Sequence, residues 1–82
     1  MGLYRDSIVA YVLVVVSIGR EFDVLDRIKR LEGITEAVVV YGEYDIVARL
    51  ETGSMKEVDR VVTAIRSIPS VLRTVTLIGY KE

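Results

Sequence analysis

Residues 39–50 read VVYGEYDIVARL, two apolar runs joined through Tyr41-Gly42-Glu43-Tyr44-Asp45. Gly42-Glu43 is short enough to force the flanking strands, expected over 37–41 and 44–51, into an antiparallel hairpin. Upstream, residues 8–16 (IVAYVLVVV) are β-branched and aliphatic without alternation, the pattern of a strand buried on both faces. Between these lies an amphipathic helix over 20–31, with Phe22, Val24, Leu25, Ile28 and Leu31 at helical spacing, Glu21 and Asp23 in the first turn and Gly33 as its stop. Downstream, Ser54-Met55-Lys56-Glu57 has the S-x-x-E form of a capping box. Met55, Val58, Val61, Val62, Ile65 and Ile68 form the apolar stripe of the helix that follows, and Pro69 stops it. Residues 71–80 supply a last strand, with Val71, Val75 and Leu77 on one side and Leu72, Thr74, Thr76, Ile78 and Tyr80 on the other.

The resulting order is βαββαβ, and an internal echo supports it. Leu31-x-x-Ile34-x-x-x-Val38-x-Val40 repeats in spacing and type as Ile68-x-x-Val71-x-x-x-Val75-x-Leu77. Right-handed crossovers in both halves give an α+β, ferredoxin-like sandwich: a four-stranded antiparallel sheet with both helices on one face. The 82 residues form one domain, with its core over 8–80. Two helices cover only one face of a sheet whose first strand is apolar on both. A bare face of Val and Ile exceeds the roughly 400 Å² of apolar patch that soluble monomers usually show. A second copy packing sheet to sheet, as in a dimeric α/β barrel, is the economical cover, and Tyr11, Val14 and Tyr41 are the expected oligomer contacts.

Composition narrows the function. Acidic and basic residues nearly cancel, 12 against 11, so there is no electrostatic footprint for nucleic acid or an anionic membrane. Cysteine and histidine are absent, which removes thiolate chemistry, Cys/His zinc sites and the usual general base near neutral pH. No glycine-rich phosphate loop is present and no cofactor is implied. The eight arginines outnumber the three lysines, and Asn and Gln are missing, a bias compatible with a heat-adapted source. The nine-residue apolar run at 8–16 is too short to span a bilayer, and Arg5 and Asp6 precede it without a signal-peptide pattern. Asp6 also stands where a myristoylation signal wants Ser or Thr. The expectation is a cytoplasmic protein with no membrane partner.

Several residues have both a functional and a plain reading. Glu43 and Asp45 could form an acid/base pair or a hard-cation site, against a solvated turn in which Asp45 bonds backbone N–H groups. Thr74 and Thr76 share a strand face, as two hydroxyls for a ligand or as β-propensity alone. Arg27, Lys29 and Arg30 stand among Asp23 and Asp26 at i, i+4 spacing, the pattern of a salt-bridged helix face. Tyr41 and Tyr44 bracket the turn, and two large rings there are explained by contact with another subunit or a ligand, or by cross-strand packing.

Gly42-Glu43-Tyr44-Asp45 at the end of a V-V-V-Y strand, followed by I-V-A-R-L, occurs together with the segment Ile68-Pro69-Ser70-Val71-Leu72-Arg73-Thr74-Val75-Thr76-Leu77-Ile78. This pairing resembles the effector-binding (RAM) domain of the Lrp/AsnC, or feast/famine, transcriptional regulators, which has a G-x-x-D turn and an L-P-G-V-x-x-T-x-T-x-I segment. The resemblance covers residues 8–80, and Ser70 departs from it where the family has Gly. It implies dimers formed sheet to sheet, association into octamers or similar rings, and an amino acid or similar effector bound between dimers. By the same resemblance Gly42, Tyr44, Asp45, Thr74 and Thr76 become the ligand-binding residues, with no catalytic or metal residue. Only seven residues precede the first strand, so a helix-turn-helix and direct DNA binding are not expected. The alternatives are a ligand-independent partner forming mixed oligomers with full-length Lrp/AsnC regulators, a small dimeric α/β-barrel enzyme, and an ACT domain with Gly19 facing the ligand.

Overall fold

Strand β1 (Ile8–Val16) sorts its apolar residues by parity. Ile8, Ala10, Val12, Val14 and Val16 are buried, and Val9, Tyr11, Leu13 and Val15 look out from the opposite face, as the two-residue period of a strand requires. The computed structural model describes residues 7–81; Arg5 and Asp6, on which the expectations about signals and lipidation rest, lie outside them. The remaining elements are helix α1 (Glu21–Lys29), strands β2 (Ile34–Val39) and β3 (Ile46–Thr52), helix α2 (Met55–Arg66) and strand β4 (Val71–Tyr80). The four strands form an antiparallel sheet in the order β2-β3-β1-β4. This is the expected ferredoxin-like βαββαβ arrangement.

One core fills the space between sheet and helices. The even residues of β1 join Ala37, Ile46, Ala48 and Leu50 from the sheet with Val24, Ile28, Val58, Val61 and Ile65 from the helices. Val14 is 0% exposed inside this core, which corrects its expected role as an oligomer contact: its side chain has the parity of the helix face. Phe22 likewise leaves the core stripe, because two residues from Val24 is about half a helical turn away, and it is exposed. Among the described residues no helix is long and apolar enough to cross a membrane.

Three further boundaries differ from expectation. Helix α1 ends at Lys29 rather than running to Leu31; Arg30 caps it, and Gly33, at φ +103, shapes the turn into β2. The hairpin is not closed by two residues, since β2 stops at Val39 and β3 starts at Ile46, with the Val40 N–H bonded to the Asp45 carbonyl at 2.9 Å. A register shift at Val15/Val16 pairs Val16 with Val71, so Val71 packs against the core instead of sharing a side with Val75 and Leu77.

At the start of α2 the Ser54 hydroxyl accepts the Lys56 N–H at 3.2 Å, but Glu57 does not return the second half of a capping box. Its carboxylate takes the Arg60 guanidinium, which also donates to the Glu32 carbonyl at 2.8 Å and so ties α2 to the turn before β2. Thr52 Oγ1 accepts the Ser54 N–H at 3.2 Å in its place. At the far end of the sheet the Lys81 N–H donates to the Ser7 carbonyl at 3.0 Å.

Candidate functional site

The end of β1, the 40–45 loop and the turn from α2 into β4 meet at one pole of the sheet. Strand β1 runs beyond the start of β3 there, which leaves its last amides without a ladder partner on that side. Asp45 supplies one. Its Oδ2 accepts the Val16 N–H at 2.8 Å, and its own N–H donates to the Val14 carbonyl at 2.8 Å. A carboxylate bonded to a backbone amide is a charge-assisted contact, stronger than an ordinary ladder bond. Asp45 therefore has a structural task whatever else it does.

Around it, Gly42 holds φ +132 with open space where a Cβ would stand, and the Tyr41 ring is 99% exposed. Tyr44 is half-buried and its ring centroid lies 5.6 Å from the Arg73 guanidinium carbon, within cation–π range. Ser70 adopts φ +81, the left-handed region that the resembled family meets with glycine, and its carbonyl accepts the Ser17 N–H at 2.9 Å.

Thr74 and Thr76 pair with Val14 and Val12, so both stand half-buried on the helix side of β4, a free sheet edge. Arg73 pairs with Val15 and belongs to the open face. The five expected ligand residues thus separate in one chain: Gly42, Tyr44 and Asp45 in the loop, the threonines beyond the strand plane. Glu43 is exposed at the loop tip, and with the Asp45 carboxylate turned to Val16 the two do not behave as an acid pair. Among the described residues no group of three metal-ligating side chains occurs.

A hollow of about 320 Å³ adjoins Thr74, lined by Arg66, Val71, Leu72, Arg73 and Thr74. Sequence reasoning passed over both arginines. The available signal was Arg73 immediately before Thr74-Val75-Thr76, where alternation sets it on the face opposite the two threonines.

The open face of the sheet carries Val9, Leu13 and Val15 from β1, Val38 from β2, Val47 from β3 and Val75 and Leu77 from β4. Tyr11 stands among them 41% exposed, and Leu77 is 52% exposed. One polar network crosses this surface. Arg49 donates to Thr35 Oγ1 at 3.0 Å and to Glu51 at 3.2 Å, and Glu51 also takes Lys81 and the Ser7 hydroxyl, each at 3.2 Å. Contact with the Tyr11 hydroxyl, then with Glu51, raises the Arg49 guanidinium above its usual pKa. Lys81 foremost, then Arg49 and Ser7, hold the Glu51 carboxyl below the usual glutamate range.

Comparison with known proteins shows the family. The sequence profile of the Lrp/AsnC ligand binding domain matches residues 9–82. The HTH-type transcriptional regulator FL11 of Pyrococcus abyssi is 32% identical over 75 residues, which are 92% of this chain and 50% of the regulator. The chain thus spans about half the length of the curated regulator it matches. A hypothetical protein of Pyrococcus horikoshii, PHS023, superposes at TM-score 0.83 with 36% identity, covering 92% of each chain. The transcriptional regulator NMB0573 of Neisseria meningitidis, solved as an L-Met complex, shares the fold at TM-score 0.76 and 14% identity, over 92% of this chain and 51% of that one.

Proposed function

The chain belongs to the Lrp/AsnC ligand-binding domain family, and from that premise we propose that it senses a small molecule of the amino-acid class, bound between dimers, and modulates transcription regulators or metabolism without touching DNA. The observation that carries this reading is the separation of the family's ligand positions. Tyr44 and Asp45 lie in the loop and Thr74 and Thr76 on the helix side of a free edge strand, so a second subunit is the natural means of closing a pocket around a ligand. The apolar open face supports a sheet-to-sheet homodimer as the unit from which a ring is assembled. That the Neisseria regulator of this fold was solved with L-Met supports an amino acid as the ligand class. In this reading Gly42 offers backbone groups, the threonines offer hydroxyls to a carboxylate, and Tyr41 and Tyr11 meet neighbouring subunits. Asp45 offers the ammonium its Oδ1, since Oδ2 holds Val16.

In this reading the protein is a regulator rather than an enzyme, as FL11 and the Neisseria protein are by name, and it works in the cytoplasm. The Pyrococcus relatives support a heat-adapted source. Coupling requires that the effector bind two assembly states with different affinity. Calorimetric titration with each standard amino acid, with light-scattering mass recorded in parallel, tests it. The expected result is heat for a narrow set of amino acids and a change in mass. Absence of heat for all of them, in a preparation shown to be octameric, overturns it. A second reading rests on the family membership alone: the domain forms mixed oligomers with full-length family members and dilutes their DNA-binding heads, with no ligand of its own. Co-purification with such a regulator, independent of added amino acid, supports that alternative.

A further inference from the structure

Seven arginines fall among the described residues, and four of them are committed. Arg20 pairs with Asp23, Arg30 with Asp26, Arg49 with Glu51 and Arg60 with Glu57. The other three, Arg27, Arg66 and Arg73, make no ion pair among the described residues, and all three line hollows on either side of the turn from α2 into β4. Arg66 and Arg73 line the hollow of about 320 Å³ together with Thr74 and no carboxylate. Arg27 lines a smaller one of about 170 Å³ with Pro69 and Ser70, where Asp23 is taken by Arg20.

We propose that the effector carries a second negative charge, as a dicarboxylate or acidic amino acid does, and that Arg66 and Arg73 receive it beside Thr74. This rests on the reading of Thr74 as a ligand position. The hollow lies in the size range of small-molecule sites, roughly 300–1,000 Å³, and the polar residues that line it are Arg66, Arg73 and Thr74, with no carboxylate residue beside them. Guanidinium forks match carboxylate geometry and bind it through paired charge-assisted hydrogen bonds. Arg73 is steadied for this by the Tyr44 ring, whose centroid lies 5.6 Å from the guanidinium carbon. A ligand with a basic or neutral side chain would leave both arginines of the hollow without a carboxylate partner.

The test is calorimetry at low ionic strength on the intact protein and its Arg66→Gln and Arg73→Gln variants. The probes are L-glutamate against L-glutamine, L-aspartate against L-asparagine, and succinate. The acidic member of a pair is expected to bind about tenfold more tightly than its amide, with the preference reduced in each variant and weakened by salt. Acid and amide binding equally, the preference surviving both substitutions, or no binding of any probe overturns the proposal. The first of these leaves amino-acid sensing standing. Binding of succinate without any amino acid upholds the proposal and removes the amino-acid reading instead. Both arginines are exposed, and retained circular dichroism shows that the variants are folded.

Discussion

The Asp45 carboxylate holds the Val16 backbone N–H at 2.8 Å across two strand ends. Replacing Asp45 with Ala leaves a half-buried amide without its acceptor and is expected to destabilise the fold by about 1–3 kcal/mol, the range for removing one partner of such a bond. Asp45→Asn keeps an oxygen within reach and loses less. Chemical denaturation of the three proteins measures this; equal stability of all three would show that the bond contributes nothing. Effector binding measured on Asp45→Asn then separates the ligand role from the structural one, because the loop stays anchored.

Ser70 sits at φ +81. For a residue with a Cβ this region costs about 1–2 kcal/mol, while glycine occupies it freely but loses more chain entropy on folding. Ser70→Gly is expected to raise stability by roughly 0.5–1 kcal/mol. A lowered melting temperature would sink this account.

On the open face, Leu13 stands half-buried between Val47 and Val75. Leu13→Glu places a charge in the centre of the proposed dimer surface and is expected to yield folded monomers, read as a light-scattering mass reduced to that of a single chain with circular dichroism retained. A dimer unchanged at micromolar concentration would move the interface elsewhere.

Acid sensitivity follows from Glu51, whose carboxyl is depressed below its usual 4.5, first by Lys81 and then by Arg49 and Ser7. A depressed folded-state pKa contributes stability above the unfolded value, and that contribution fades as pH falls through the folded one. Stability should therefore decline on acidification below about pH 4.5, and Glu51→Gln should flatten that decline. The pH dependence of the denaturation midpoint in both proteins decides it; parallel curves would place the acid response in other carboxylates.

The order of elements and the two-layer arrangement were legible because helical spacing, the Ser54 start and the internal echo all agree. The phase of β1 was not. In IVAYVLVVV both parities are apolar, so nothing in the string says which side meets the helices, and Val14 was assigned to the wrong one. Val71 was misplaced for a different reason, since a one-residue register shift reverses every face before it. Tyr44 and Asp45 read as strand because Asp45 continues the ladder through its side chain and backbone while the chain itself turns away. The threonines were correctly placed on one face, but that Arg73 and the hollow lie beside them depends on where α2 ends.

Ser7 and Lys81, the first and last of the described residues, meet through their backbone bond at the pole opposite the Asp45 loop. Topologically the domain is a ring with one seam. Closing that seam with a short linker and opening the backbone at Gly42, where no neighbour crowds the chain, would yield a circular permutant with the same sheet. Fluorescent reporters joined next to Ser7 and Lys81 would stand side by side at that pole, away from the Asp45 loop, which makes this scaffold suited to carrying a label without disturbing the proposed site.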